Sequence, residues 1–184
     1  KGRGVVASCN YEARRFGIHS AMPMRMALQR CPGAIVIRGD MEAYRQRSQL
    51  ITDIIAAEAP LFEKASIDEF YLDLTGMDRH FGCWQRPREL RQKIMTESGL
   101  PLSLGLSVNK LLSKVTTNEV KPNGQGQVPR GEERAFLAPL SVAKLPSVGK
   151  ATYKKLSFMG VRTVRTLRKI PLDLLEREFG KHGA

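Results

Sequence analysis

The stretch Ala65-Ser66-Ile67-Asp68-Glu69-Phe70-Tyr71-Leu72-Asp73-Leu74 limits what this chain can become more than any other. Phe70, Leu72 and Leu74 recur with period two, which predicts a half-buried strand with its apolar side on a core and Tyr71 and Asp73 opposite. Asp68 and Glu69 then fall at the start of that strand, at the edge of the core and facing a cleft. Adjacent carboxylates in such a place waste charge unless a cation is bound. Oxygen ligands suit a hard ion such as Mg²⁺, which takes one or two carboxylates and fills its shell with water and substrate phosphates. Two neighbouring acids also arise by chance, so the rest of the chain must decide their meaning.

At 184 residues and 42% hydrophobic content the chain can bury a core and needs neither metal nor disulfide to fold. Cys9, Cys31 and Cys83 are widely spaced and form no Cys-x-x-Cys pair, as expected of incidental thiols in a reducing compartment. His19, His80 and His182 are equally scattered, which argues against zinc. No apolar run approaches the roughly 18 residues of a membrane helix, and the opening Lys1-Gly2-Arg3-Gly4 has no signal-peptide core. A soluble, cytoplasmic protein without a membrane partner is expected. The opening also lacks an initiator Met, so the chain is expected to begin inside a longer protein.

The net charge of +12 is unevenly spread. Residues 1 to 30 carry six basic and one acidic residue, residues 144 to 184 carry ten and three, and residues 31 to 143 carry fourteen of each. A neutral centre between two basic ends suggests a core domain with two arms that grip a polyanion, and DNA or RNA is the common one.

The chain reads as three blocks. Residues 1 to 39 hold a short strand at Gly4 to Ser8 and a short helix near Met24 to Arg30, which Cys31-Pro32-Gly33 ends. The second block opens with a long helix from about Met41 to Glu58, N-capped by Asp40, with Tyr44, Ile51 and Ile55 along one face. A strand pair around Phe62 and Phe70 follows, then a helix at about Arg86 to Ser98 and a strand at Leu102 to Ser107. A further helix starts near Asn109 and stops before Pro122-Asn123-Gly124. This order predicts an α+β domain, a split βαβ-like and mainly antiparallel sheet backed by helices. The third block, from about Pro129, is expected to be all-helical.

That block contains Lys144-Leu145-Pro146-Ser147-Val148-Gly149-Lys150, ahead of a helix in which Val148, Thr152, Leu156 and Met159 line one side. It reads as a helix-hairpin-helix. A tight hairpin turns the free N–H groups of a helix N-terminus outward, where they hold a DNA phosphate without reading sequence, and Lys150, Lys154 and Lys155 add charge. Gly149-Lys150-Ala151-Thr152 is no P-loop, because the first glycine of that motif would fall on Lys144 and no strand leads in. In the first block, Tyr11 and Arg14 are three apart and can present a ring and a guanidinium side by side. Such a clamp fits a triphosphate, since Arg bonds phosphate oxygens in a bidentate way.

Together these segments resemble the Y-family DNA polymerases, and Ser20-Ala21-Met22-Pro23 looks most like the DinB type. The matched strings are Tyr11-Glu12-Ala13-Arg14 with Phe16-Gly17, Ser66-Ile67-Asp68-Glu69, Asn109-Lys110 with Lys121-Pro122-Asn123-Gly124, and the hairpin at Pro146 to Gly149. The resemblance implies fingers at residues 1–39, an antiparallel palm at 40–128 and a partial thumb at 129–184. It implies that Asp68 and Glu69 are catalytic ligands of two Mg²⁺ ions, and that Tyr11, Arg14 and Lys121 meet the triphosphate of an incoming deoxynucleotide. Primer-template DNA would be the other partner, with a sliding clamp reached through regions outside the chain.

The chain also departs from that pattern. A further metal-binding Asp and an aromatic gate against ribonucleotides would precede Lys1, and a little-finger domain would follow Ala184. Ser147 stands where the family hairpin has glycine, and Val115-Thr116-Thr117 replaces a small and aliphatic run. The expectation is therefore a fragment of a translesion DNA-directed DNA polymerase, itself with little or no activity and weak Mg²⁺ binding. The main alternative is a non-enzymatic DNA-binding module that uses the hairpin and basic arms. A nucleotidyl cyclase of palm fold shares the carboxylate hairpin but gives no reason for the helix-hairpin-helix.

Overall fold

The chain divides into two units, Lys1–Gln46 and Arg47–Ala184, and the computed structural model describes residues 4–59, 61–77, 84–181 and 183. Cys83, His80 and His182 lie outside the described residues. No helix among the described residues is long and apolar enough to cross a membrane.

In the first unit Asn10 opens α1 (Tyr11–Arg15) by accepting the Ala13 N–H on its side-chain oxygen at 3.0 Å. Helix α2 (Met24–Arg30) stops at Cys31 as expected. Ala27 on α2 packs with Val6, Ile18 and Met22 in a small core. The strand expected at Gly4 to Ser8 shrinks to an isolated antiparallel bridge, Val5 with Pro23. Helix α2 begins at Met24 and Ala21 turns the chain at φ +65°, so too few residues opposite are extended to lengthen the ladder. Between α2 and the next helix the chain runs without regular structure, and Ile35 and Ile37 are 89% and 83% exposed, with Val36 exposed between them. Asp40 then caps α3 (Met41–Glu58), its Oδ1 accepting the N–H groups of Glu42 at 3.1 Å and Ala43 at 3.0 Å.

The second unit takes up the chain within α3. Ile54 and Ile55 of α3 pack with Ala59 and with Leu90 and Ile94 of α4 (Gln85–Ser98). Strands β1 (Phe62–Lys64) and β2 (Phe70–Leu72) pair antiparallel with Phe62 opposite Leu72, and Phe62, Phe70 and Leu72 lean on that core. The alternation read from the sequence is thus real, but the ladder ends sooner, because Asp73 accepts the Thr75 N–H at 2.9 Å and turns the chain. Glu58, the last residue of α3, binds α4 through Arg86 and through Lys93 at 2.6 Å. The Lys93 hydrogen bond holds the Glu58 carboxyl below its ordinary range.

Strand β3 (Leu104–Leu106), helix α5 (Lys110–Glu119) and strand β4 (Gln125–Gln127) follow, and β3 and β4 pair in parallel. The sheet is thus two separate ladders, one antiparallel and one parallel, where a single mainly antiparallel sheet was expected. Asn109 caps α5 by accepting the Leu112 N–H at 2.9 Å. Leu112, Val115 and Thr116 are the buried face of α5.

The rest is helical apart from one isolated bridge: α6 (Glu133–Leu137), a 3₁₀ turn at Val142–Lys144, α7 (Lys150–Phe158), α8 (Val164–Leu167) and α9 (Leu172–Phe179). Val142, Leu156 and Val161 form its core, with Val148, Met159, Leu167, Ile170 and Phe179 against them. The apolar face read for α7 is therefore borne out at Val148, Leu156 and Met159.

Gly105 sets the distance between β3 and α5. A Cβ there would lie 2.7 Å from the Thr117 backbone N and closer still to the Ser113 carbonyl oxygen. Neither is a mobile side-chain end, so Gly105→Ala should cost about 2–3 kcal/mol by overpacking. The urea midpoint measures this, and an unchanged midpoint would show that α5 can move away from the sheet.

Candidate functional site

Asp68 and Glu69 sit in the turn that joins β1 to β2, immediately before β2 rather than inside it. The turn is closed by backbone: the N–H groups of Ala65 and Ser66 both donate to the Glu69 carbonyl, at 2.9 and 3.2 Å. Ser66 Oγ donates to Asp68 Oδ1 at 2.8 Å and fixes the direction of that carboxylate. Each carboxylate still presents an oxygen without a protein partner among the described residues. Carboxylate oxygens left without a protein partner on consecutive residues suit a hard cation that completes its shell with water and phosphate. They are only part of a cage, since no three His, Cys, Asp or Glu residues among those described converge on a metal position.

Helix α5 faces this hairpin with two lysines one turn apart, a spacing that puts both on one side. Lys114 pairs with Glu69 Oε1, their side chains 25% and 41% exposed. Lys110 pairs with Glu63 on β1 and lies 5.5 Å from the Tyr71 ring centre. The sequence reading missed Lys114. Its partner is 45 residues away and becomes visible only once β1, β2 and α5 are placed.

Lys121 is exposed just beyond α5, about 10 Å further along the helix axis than Lys114 at 1.5 Å per residue. The following turn is tightly specified. Asn123 takes φ +50°, and a Cβ on Gly124 would collide with the Val120 carbonyl. Arg91 on α4 staples the turn by donating through Nε to the Leu102 carbonyl at 2.9 Å. Its terminal nitrogen donates to the carbonyl and side-chain oxygens of Asn123, each at 2.8 Å. Arg91 also escaped the sequence reading, because its role depends on a contact 32 residues along the chain.

In the first unit the Arg14 guanidinium lies 5.6 Å from the Tyr11 ring centre, and its Nε donates to the Cys9 carbonyl at 3.3 Å. Ring and guanidinium do stand side by side, on the exposed surface of α1.

In the hairpin, Gly149 is the N-cap of α7 with φ −79° and ψ 176°, and no side chain caps it. A Cβ on Gly149 would meet nothing within 4 Å, so this end of the helix is open. Lys150 and Lys154 are exposed and have no partner among the described residues. Lys155 differs from the expectation. It binds the Glu178 carboxylate at 3.2 Å and the Glu178 backbone carbonyl, and lies 4.8 Å from the Phe179 ring centre. Its hydrogen bond holds the Glu178 carboxyl below the ordinary range, so Lys155 ties α7 to α9. Arg162, Arg165, Arg168 and Lys169 around α8 are exposed and likewise without partners among the described residues, while Val161 and Val164 turn inward.

A family described as impB/mucB/samB matches residues 1–118, and one described as the thumb domain of DNA polymerase-iota matches residues 143–184. DNA polymerase IV of Dehalococcoides mccartyi is 40% identical over 182 residues, covering 98% of this chain and 47% of that protein. DNA polymerase IV of Shewanella amazonensis is 42% identical over 183 residues, covering 99% of this chain and 52% of that protein. The chain thus spans about half the length of the curated relatives it matches. Among solved structures, DinB from Sulfolobus solfataricus superposes with a TM-score of 0.90 at 32% identity, over 97% of this chain and 53% of that one. An insertion ternary complex of Dbh DNA polymerase gives 0.89 at 32% identity, over 99% of this chain and 54% of that one.

Ser147 holds φ +68°, the left-handed region that favours glycine. Ser147→Gly should therefore raise stability by roughly 0.5–1 kcal/mol, the relief of backbone strain less the added freedom of the unfolded chain. A urea midpoint that falls would show the strain is compensated by the serine side chain.

Proposed function

The chain belongs to the impB/mucB/samB family, and on that premise we propose that it is the fingers (1–39), palm (40–128) and thumb (129–184) portion of a translesion DNA-directed DNA polymerase. The observation that carries the reading is the pair of exposed carboxylates, Asp68 and Glu69, held in a hairpin turn and faced by a lysine helix. Primer-template DNA and deoxynucleoside triphosphates are the substrates.

Asp68 and Glu69 would hold the divalent metal, two Mg²⁺ in the complete site. When bound, the metal activates the primer 3′-oxygen and neutralises charge on the leaving pyrophosphate. The chain's other groups bind and orient. Tyr11 with Arg14, and Lys121, each offer contacts to nucleotide phosphates, the guanidinium in a bidentate manner and the ammonium as a point charge. Arg91 and Gly124 fix the turn from which Lys121 projects. The α7 N-terminus with Lys150 and Lys154 holds a DNA phosphate and carries no base information. Lys155 acts one step back by fastening α7 to α9.

A second reading, a DNA-binding module without chemistry, draws its support from the Lys114–Glu69 pair, which is how a structural carboxylate would be used. Primer extension separates the two. In the full-length protein, Asp68→Asn and Glu69→Gln should each lower extension by roughly a hundredfold or more, beyond the loss typical of an outer-shell partner. Affinity for primer-template DNA should stay within about twofold of the parent. The chain should show at most trace extension, since no third metal-ligating side chain joins Asp68 and Glu69 among the described residues. If Asp68→Asn leaves extension by the full-length protein intact, the enzymatic reading is wrong.

Duplex binding by the chain should be indifferent to sequence and fall steeply with salt, since each neutralised phosphate releases counterions. Gly149→Val should weaken it several-fold with no change in charge, at a stability cost of about 1 kcal/mol for the poorer N-cap, since an added Cβ meets nothing within 4 Å. Fluorescence anisotropy across a salt series checks this. Unaltered binding by Gly149→Val would reduce the hairpin to an ordinary turn.

A further inference from the structure

Asp68 and Glu69 are consecutive in a turn with no third carboxylate beside them among the described residues, yet the turn is closed and ordered by its own backbone bonds. Something must offset their mutual repulsion when no metal is bound. Lys114 is placed to do so. It reaches Glu69 from α5, a helix packed on β3 at Gly105 and buried along Leu112, Val115 and Thr116, so the lysine extends from a packed helix rather than from a loop. The pair is partly shielded, and an ammonium in that position acts on the local field more strongly than a freely exposed one. Lys110, one turn earlier, spends its charge on Glu63 and Tyr71 and so holds β1 rather than the carboxylate pair.

We infer that Lys114 is a resident counter-cation of the carboxylate turn: it occupies Glu69 in the metal-free state and competes with a divalent cation for that carboxylate. The inference rests on the reading of Asp68 and Glu69 as metal ligands. Lys114 is a positioning residue by this account, because it keeps the empty turn in its ligating shape while raising the concentration of cation needed to fill it. A triphosphate that arrives with the cation offers the displaced ammonium an anionic partner, so Lys114 leaves Glu69 more readily than for the cation alone and links metal occupancy to nucleotide occupancy.

The test measures Mn²⁺ binding to the full chain from the loss of the free aqueous Mn²⁺ resonance, and thermal unfolding in chelator and in excess Mn²⁺. Lys114→Met should bind Mn²⁺ roughly fivefold more tightly than the parent, the effect of removing one nearby unit charge in a partly exposed setting. Its unfolding temperature in chelator should drop by a few degrees, and the rise produced by Mn²⁺ should be larger than the parent's. Lys114→Arg should restore the parent's behaviour in both measurements. Lys110→Met should lower the unfolding temperature and leave Mn²⁺ affinity alone. If Asp68→Asn abolishes binding while Lys114→Met binds Mn²⁺ no more tightly than the parent, or Lys110→Met tightens it equally, the counter-cation role is overturned and the ligand assignment stands. If Asp68→Asn leaves Mn²⁺ binding unchanged, the ligand assignment fails and the inference falls with it.

Discussion

Helix α5 lies on β3 at a separation that only glycine permits, and most of what is functional in the second unit hangs on that contact. Gly105 brings the β3 backbone against Ser113 and Thr117, and Gly126 on β4 meets side-chain methyls of Val120 and Thr116. With both flanks closed, α5 has no room to translate. Its first two turns deliver Lys110 and Lys114 to the carboxylate hairpin, its last residue Glu119 binds Lys144 at 2.8 Å, and the chain leaving it presents Lys121. Four separate groups thus share one rigid carrier, and a shift of that carrier would move them together.

The lysine–carboxylate pairs also explain how the charge is divided. Glu58, Glu63, Glu69, Glu119 and Glu178 each bind a lysine, and each such bond joins two different elements. Five of the eighteen acidic residues thus serve as internal ties. Of the cations without such a tie, six lie together on the helical portion: Lys150 and Lys154 on α7 and Arg162, Arg165, Arg168 and Lys169 around α8. Their field is not cancelled by near neighbours, so it extends into solvent over about a Debye length, which is the range at which a polyanion is attracted and oriented.

Local chemistry was legible in the sequence and long-range pairing was not. The Asp40 cap and the apolar spacing of α3 placed that helix at Met41–Glu58, and Asn109 marked the start of α5, because caps and periodicity are properties of neighbouring residues. Asp68 and Glu69 were recognisable because they adjoin the alternation of Phe70 and Leu72. Strand β4, by contrast, is Gln125-Gly126-Gln127, with no apolar alternation and a glycine that weakens a strand, and it exists only because β3 and α5 accept it. The strand expected at Gly4 to Ser8 had the right composition, but the segment opposite is extended only between the turn at Ala21 and the start of α2 at Met24. Lys155 reads as a free cation in any helical projection, and only the position of α9 shows it engaged.

The extended run Ile35-Val36-Ile37 carries a practical consequence. It is an apolar, β-branched ribbon with no ladder partner, the kind of segment that adds to a like segment of another molecule. At low ionic strength a net charge of +12 keeps molecules apart and masks the tendency. Raising the salt screens that repulsion while leaving the apolar surface of the ribbon as it was. Charge repulsion and apolar adhesion therefore respond in opposite ways to ionic strength in this chain. The remedy is a charge on the ribbon itself rather than a change of buffer.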